Sequence, residues 1–239
     1  MASRIGKGKV ARQRASAVAS ARELAAEFAG TAFLVAAIIG SGIAAMEMSA
    51  GNEAVALIAN SLATGTILVV LILVFGPVSG AHFNPAVSFA FWLNGDVGNT
   101  KALQYAGVQI AGGIFGTILA HLMFGLEPLQ IGSLARSEAG HWLGEFVATL
   151  ALVFTIFACL RSRPEAMPWA VGLVITAGIW YTSSTSFANP AVTIARTLTD
   201  TFTAIVPAHA FGFILAQLIG AAAAFWAARW MFTKAADKR

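Results

Sequence analysis

The run Ser79-Gly80-Ala81-His82-Phe83-Asn84-Pro85-Ala86-Val87 has a shorter echo, Ser186-Phe187-Ala188-Asn189-Pro190-Ala191-Val192, in the second half of the chain. Each Asn-Pro-Ala heads an apolar piece, Pro85–Leu93 and Pro190–Leu198. Both pieces are about half the ~20 residues needed to cross a bilayer. Asparagine is a preferred N-cap, because its side-chain oxygen accepts a backbone N–H of the first turn. Proline suits the next position, where its missing N–H is no loss and its φ is already helical. The reading is therefore two half-helices that start inside the membrane, their positively polarised amino ends facing each other. One Asn-Pro-Ala alone is weak evidence. Two in equivalent places are a strong signal.

The rest of the chain supplies the membrane context. Of 239 residues, 58% are hydrophobic and only 11% charged, where a soluble domain carries about a quarter charged. Mean hydropathy is +0.76. Six runs have spanning length: Leu24–Met46, Ala54–Phe75, Ala102–Phe124, His141–Leu160, Met167–Ser184 and Pro207–Met231. The expected fold class is an all-α membrane protein with six transmembrane helices and two re-entrant half-helices. Residues 1–22 read as a basic cytoplasmic tail, 23–231 as the channel domain and 232–239 as a second cytoplasmic tail. Of the 15 Lys and Arg residues, only Arg136 and Arg196 fall on the side opposite the tails, which makes both termini cytoplasmic by the positive-inside rule. Topology thus accounts for the basic surplus (+4), and no nucleic-acid partner is implied. No segment has the order of a cleaved signal peptide. The single cysteine, Cys159, rules out an internal disulfide and a thiol-rich metal site; it reads as a packing residue.

The halves repeat more than the boxes. Glu27-Phe28 with Thr31 matches Glu145-Phe146 with Thr149, and Gln109 with Gly112 matches Gln217 with Gly220. Repeat one covers about 23–124 and repeat two about 141–231. Three spans per copy is odd, so the second copy enters the membrane inverted, and the broken helices meet near the midplane. Glu27 and Glu145 are the only acids deep in spans. One reading has their carboxylates holding the loops that lead into the half-helices; the other has them reaching the interface from a helix end. Gln109 and Gln217 have the same two readings. His82 reads as loop support at the cytoplasmic mouth, while His121, His141 and His209 read as packing or interfacial residues. Gly112 and Gly116 form a small-xxx-small pattern for close helix approach.

At the boxes, with each Asn oxygen facing its own helix, the NH₂ groups of Asn84 and Asn189 are expected to donate into the lumen. A passing water or hydroxyl solute would offer its oxygen to both, breaking a proton wire, and the two helix ends would repel cations.

These features are those of a known family. The first box with its flanks, the Glu-Phe-x-x-Thr and Gln-x-x-Gly patterns and the repeat order resemble the aquaporin (major intrinsic protein) family over about residues 23–231. The resemblance implies a six-helix bundle with one pore per chain, assembled as a homotetramer. In water and glycerol channels of the family an arginine directly follows the second Asn-Pro-Ala; here that place is Val192. Carried over by spacing, the other positions of the outer constriction are Thr64, Ile179 (or Gly178) and Ser186. Such a ring carries no charge and no large aromatic. An arginine about 5 Å from a cation repels it by roughly 3 kcal/mol at an effective dielectric of 20, so this ring is expected to be wider and less selective. Arg196, one turn beyond Val192, reads either as a charge displaced into the outer vestibule or as a partner of Asp200 at i+4. The stretch Ser183–Thr201 resembles a bacterial, arsenic-associated branch that lacks the arginine and conducts neutral metalloid hydroxides and small polyols. The expected function is a passive channel in a bacterial inner membrane for glycerol-like polyols, metalloid hydroxides such as arsenous acid, and water. No cofactor or metal is expected.

Alternatives remain at this level. An orthodox water channel would share the boxes. A coupled secondary transporter would share the inverted repeat, but it wants ionisable groups at the midplane, where only the two glutamates occur. A structural protein with a vestigial pore would not need both asparagines. An enzyme is disfavoured because the four histidines are scattered, with no nucleophile or carboxylate at useful spacing.

Overall fold

Local chemistry sets where each helix begins. In the computed structural model, which describes residues 18–232, Ser20 caps α1 (Ala21–Met48) through a reciprocal capping box with Glu23. Asn52 caps α2 (Glu53–Ser79) by accepting from Ala54 and Val55, and Gly80, in the left-handed region, ends it. Asn84 caps α3 (Pro85–Asn94), and α4 follows over Asn99–Met123. In the second half α5 runs over Ala139–Ser162, a short 3₁₀ turn over Pro164–Ala166, and α6 over Met167–Tyr181. Asn189 caps α7 (Pro190–Arg196), and α8 is Pro207–Phe232. No β-strand occurs among the described residues. Most of the two basic tails lies outside the described residues.

Five helices are long and apolar enough to cross a membrane: α1, α2, α4, α5 and α8. The sixth expected span, Met167–Ser184, is shorter than its sequence suggests. α6 has 15 residues, about 22 Å at 1.5 Å per residue. It stops where Thr182 turns extended, its N–H and hydroxyl making the last bonds to the Gly178 carbonyl, at 3.1 and 2.7 Å. The second half-helix likewise ends at Arg196 and not at Leu198. The N–H and hydroxyl of Thr197 both reach back three residues to the Ile194 carbonyl, tightening the last turn.

Packing carries the inverted repeat. α1 lies on α4 and α5 lies on α8 as the corresponding closest pairs, while α2 against α6 joins the halves. The glycines explain the closeness. A Cβ on Gly112 would sit 2.3 Å from the Phe28 carbonyl oxygen, and one on Gly116 2.3 Å from that of Ala32. Across the second pair, a Cβ on Gly220 would sit 2.5 Å from the Phe146 carbonyl oxygen. Gly65 and Gly172 meet in the same manner between α2 and α6. Where no water is displaced, such backbone approach supplies the dispersion contact that holds helices together. Both half-helices pack against α4 and α8, which suspends their amino ends in the middle of the bundle.

Candidate functional site

The loops entering the half-helices are strained in matching places. Phe83 (φ 49°) and Ala188 (φ 48°), each immediately before its asparagine, are both left-handed. A non-glycine residue there costs roughly 1–2 kcal/mol and persists only when its surroundings enforce it. Two buried glutamates do so. Glu27 accepts the N–H groups of His82 (3.0 Å) and Phe83 (2.7 Å), the Ser79 hydroxyl (2.6 Å) and the Gln109 amide (2.8 Å). Glu145 accepts the N–H groups of Phe187 and Ala188, both at 2.8 Å, and the Gln217 amide at 2.6 Å. In each half the two backbone donors are the residues just ahead of the asparagine, so the register repeats as well as the residue types. Both glutamates are fully buried, which excludes the interface-reaching reading. Gln109 and Gln217 also hold the first turn of each half-helix, through Ser88 (3.1 Å) and Thr193 (2.8 Å).

The asparagines do more than cap. The Asn84 oxygen accepts from Ala86, and the Asn189 oxygen accepts from Ala191 and Val192. The Asn84 amide then donates across to the Ala188 carbonyl (2.7 Å), and the Asn189 amide to the Phe83 carbonyl (2.8 Å). One hydrogen of each NH₂ is thereby spent on the opposite loop, and one remains for the lumen. The sequence reading left both free.

A cavity of about 1320 Å³ runs past this junction. On the side of the tails it is bordered by His82, Phe91 and Met167, and on the other by Asn60, Ser133 and Thr203. His82 stacks on Phe91 with centroids 4.6 Å apart and its Nδ1 contacts the Ser88 hydroxyl at 3.0 Å. Thr64, Ile179, Ser186 and Val192 are all buried and all line this cavity. Gly178 instead faces Ser186, where an added Cβ would lie 2.7 Å from the hydroxyl. Of the two candidates in α6, Ile179 is the one on the lumen. The Thr64 hydroxyl is buried and has no protein partner.

Arg196 is buried and also lines the cavity. Its pairing with Asp200 does not occur. Asp200 instead accepts from the N–H (2.9 Å) and hydroxyl (2.6 Å) of Ser133, which hold its carboxyl below the ordinary range. Arg196 donates through Nε to the Thr203 carbonyl and lays its guanidinium 3.3 Å from the centre of the Phe187 ring.

The sequence reading missed Arg136, which it used only to assign sidedness. This residue sits in the helix-free connection between α4 and α5, yet it is buried and lines the same cavity. Its Nε donates to the Ala204 carbonyl (3.0 Å), and a terminal nitrogen reaches the Ser184 carbonyl (3.2 Å) and the Thr185 hydroxyl (3.4 Å). Its guanidinium is 5.2 Å from the same Phe187 ring. Burial pushes its pKa down to about 10, against some support from Glu145, so it stays cationic at neutral pH. The only available signal was a lone arginine in a connection whose other charges are the acids Glu127 and Glu138. His121 was also under-read. It is fully buried and ties this connection to the far end of the second loop, through the Pro128 carbonyl (3.1 Å) and the Thr199 hydroxyl (2.7 Å).

Among the described residues no group of His, Cys, Asp or Glu could hold a metal ion. The arrangement is a lined passage with hydrogen-bonding points. Comparison with known proteins agrees with it. A family model described as major intrinsic protein matches residues 14–181. The chain is 51% identical over 214 residues to aquaglyceroporin AqpS of Rhizobium meliloti, covering 90% of this chain and 91% of that one. It is 35% identical over 199 residues to the lens fiber major intrinsic protein of Lithobates pipiens, covering 76% and 72%. The solved aquaglyceroporin of Plasmodium falciparum shares the fold with a TM-score of 0.68 at 19% identity, over 86% of this chain and 93% of that one. With its paired half-helices and continuous lined passage, the chain belongs to the major intrinsic protein family and is an integral membrane channel for water and small solutes.

Proposed function

We propose that this channel passes small neutral polyhydroxyl solutes, namely glycerol-like polyols and uncharged metalloid hydroxides such as arsenous acid, with water alongside. The observation that carries this reading is Val192. The position directly after the second Asn-Pro-Ala holds a buried aliphatic side chain that borders the same cavity as Thr64, Ile179 and Ser186. A ring of these four residues presents hydroxyls and methyl groups but no charge, which suits a solute with polar and apolar sides. The relative named an aquaglyceroporin supports the same choice over a strict water channel.

In this mechanism a solute first exchanges part of its hydration for the hydroxyl of Ser186. At the midpoint its oxygen accepts the remaining N–H of Asn84 and of Asn189. Its own hydrogens then point away along the pore, so a continuous proton wire is interrupted. Arg196 contributes a positive field in the outer vestibule without narrowing the ring. Sidedness of the basic residues supports cytoplasmic termini, and the membrane is read as a bacterial inner membrane, with a homotetramer as the assembly. A stopped-flow comparison of water, glycerol and arsenous acid in proteoliposomes tests the proposal. Comparable fluxes for all three, not saturating and weakly temperature dependent, are expected; fast water with negligible solute flux would refute it.

A further inference from the structure

We propose that Arg136 and Arg196 form an anion seat in the outer vestibule, taking one small oxyanion whose occupancy slows the passage of neutral solutes. Burying two like charges is expensive unless a counter-charge offsets them. Among the described residues the only ion pair is Lys101 with Glu23, at the tail side of the bundle. Neither vestibule arginine has a carboxylate within ion-pair distance. Instead both guanidiniums lie against one aromatic ring, that of Phe187. A ring face offsets a cation by only about 0.5–2 kcal/mol, and the one buried carboxylate whose field reaches both, Glu145, is held by the second loop and Gln217, so two cations face one carboxylate and a net positive charge remains.

The hydrogen bonds fix these groups without exhausting them. Arg196 uses Nε on the Thr203 carbonyl, and its two terminal nitrogens have no protein acceptor. Arg136 uses Nε and one terminal nitrogen on the Ala204 and Ser184 carbonyls and the Thr185 hydroxyl, leaving the other terminal nitrogen unassigned. Both residues line the cavity. Planar forks of this kind match anions that present two or more terminal oxygens. The acids facing the same mouth are Glu53 and Asp200, both exposed, and the Asp200 carboxylate is engaged by Ser133. They border the seat and weaken it but do not fill it.

The seat depends on the proposed solute path only for its flux readout; binding itself does not. The probe is inorganic phosphate, compared with chloride at matched ionic strength. In detergent, phosphate should raise the Tm of the intact protein. In proteoliposomes, external phosphate should slow glycerol flux. Arg136→Gln and Arg196→Gln should each raise the phosphate concentration needed for either effect by about tenfold or more, as expected for loss of a charge-assisted bond. Arg196→Lys, which keeps the charge but removes the planar fork, should raise it a few-fold, so the test survives if a glutamine variant does not fold. Phosphate acting no more strongly than chloride on wild type, or equally on wild type and all three variants, would overturn the proposal. Phosphate binding with negligible glycerol flux would refute the solute reading and leave the seat standing.

Discussion

Replacing Glu145 with glutamine tests whether the carboxylate holds the second pore loop. The change keeps size and shape but exchanges one acceptor oxygen for a donor. The Phe187 and Ala188 N–H groups and the Gln217 amide converge on the carboxylate, with the Ser184 hydroxyl, free to turn and accept, beside them. A glutamine can accept from one backbone N–H, and turning Gln217 over can satisfy its new NH₂. One backbone N–H is then left facing a donor in a buried site, at about 1–3 kcal/mol. The surviving bond loses its charge assistance, about 1 kcal/mol more. The docked loop is therefore destabilised by about 3 kcal/mol, roughly a hundredfold in its equilibrium with undocked forms. Relaxation of the left-handed Ala188 pulls in the same direction. The assay pairs glycerol flux in proteoliposomes with thermal unfolding in detergent, and both should fall clearly. Thr149→Val is the control, because that hydroxyl lies one turn away, buried and without a partner; it should be neutral or slightly stabilising. Wild-type flux and Tm in Glu145→Gln would refute the reasoning.

Val192→Arg should sharply reduce glycerol flux while leaving water flux measurable, read by stopped-flow light scattering. A third guanidinium about 6 Å from Arg196 adds roughly 3 kcal/mol of repulsion at an effective dielectric of 20, so a lower Tm is expected as well. Gly112→Ala places a methyl 2.3 Å from the Phe28 carbonyl oxygen. Separating α1 from α4 to fit it should cost about 1–3 kcal/mol or more, seen as a lower Tm or loss of folded protein on size exclusion. The Asp200 carboxyl, held down by Ser133, should titrate below 3.8 by carboxyl NMR, and Ser133→Ala should move it back up. Because that pKa is depressed in the fold, the contact contributes above the ordinary carboxylate value and is lost as pH falls through the folded one.

The apolar runs, the two boxes and the paired Glu and Gln residues were legible because each rests on local sequence: run length, cap chemistry and repetition. The shared register of Glu27 and Glu145 followed from that repetition. The end of α6 was not legible, since the backbone turns extended at Thr182 with no Gly or Pro there to mark the break. The outer vestibule was harder still. Arg136, Phe187 and Thr203 come from three separate connections, and nothing periodic links them. Only the folded path of the chain between α4 and α5 brings Arg136 back over the second loop, where its nearest acceptors are carbonyls at 184 and 204.

The crossed asparagine bonds bear on how the chain is made. The Asn84 amide needs the Ala188 carbonyl, and the Asn189 amide needs the Phe83 carbonyl. While the ribosome has delivered only the first three spans, Phe83 and Asn84 cannot complete their bonding, because their partners do not yet exist. The first re-entrant loop must wait, unfinished, until residue 189 has entered the bilayer. Neither half is a pore in waiting. Co-expressed as separate polypeptides, the halves should conduct only when both are present, each serving as the mould for the other.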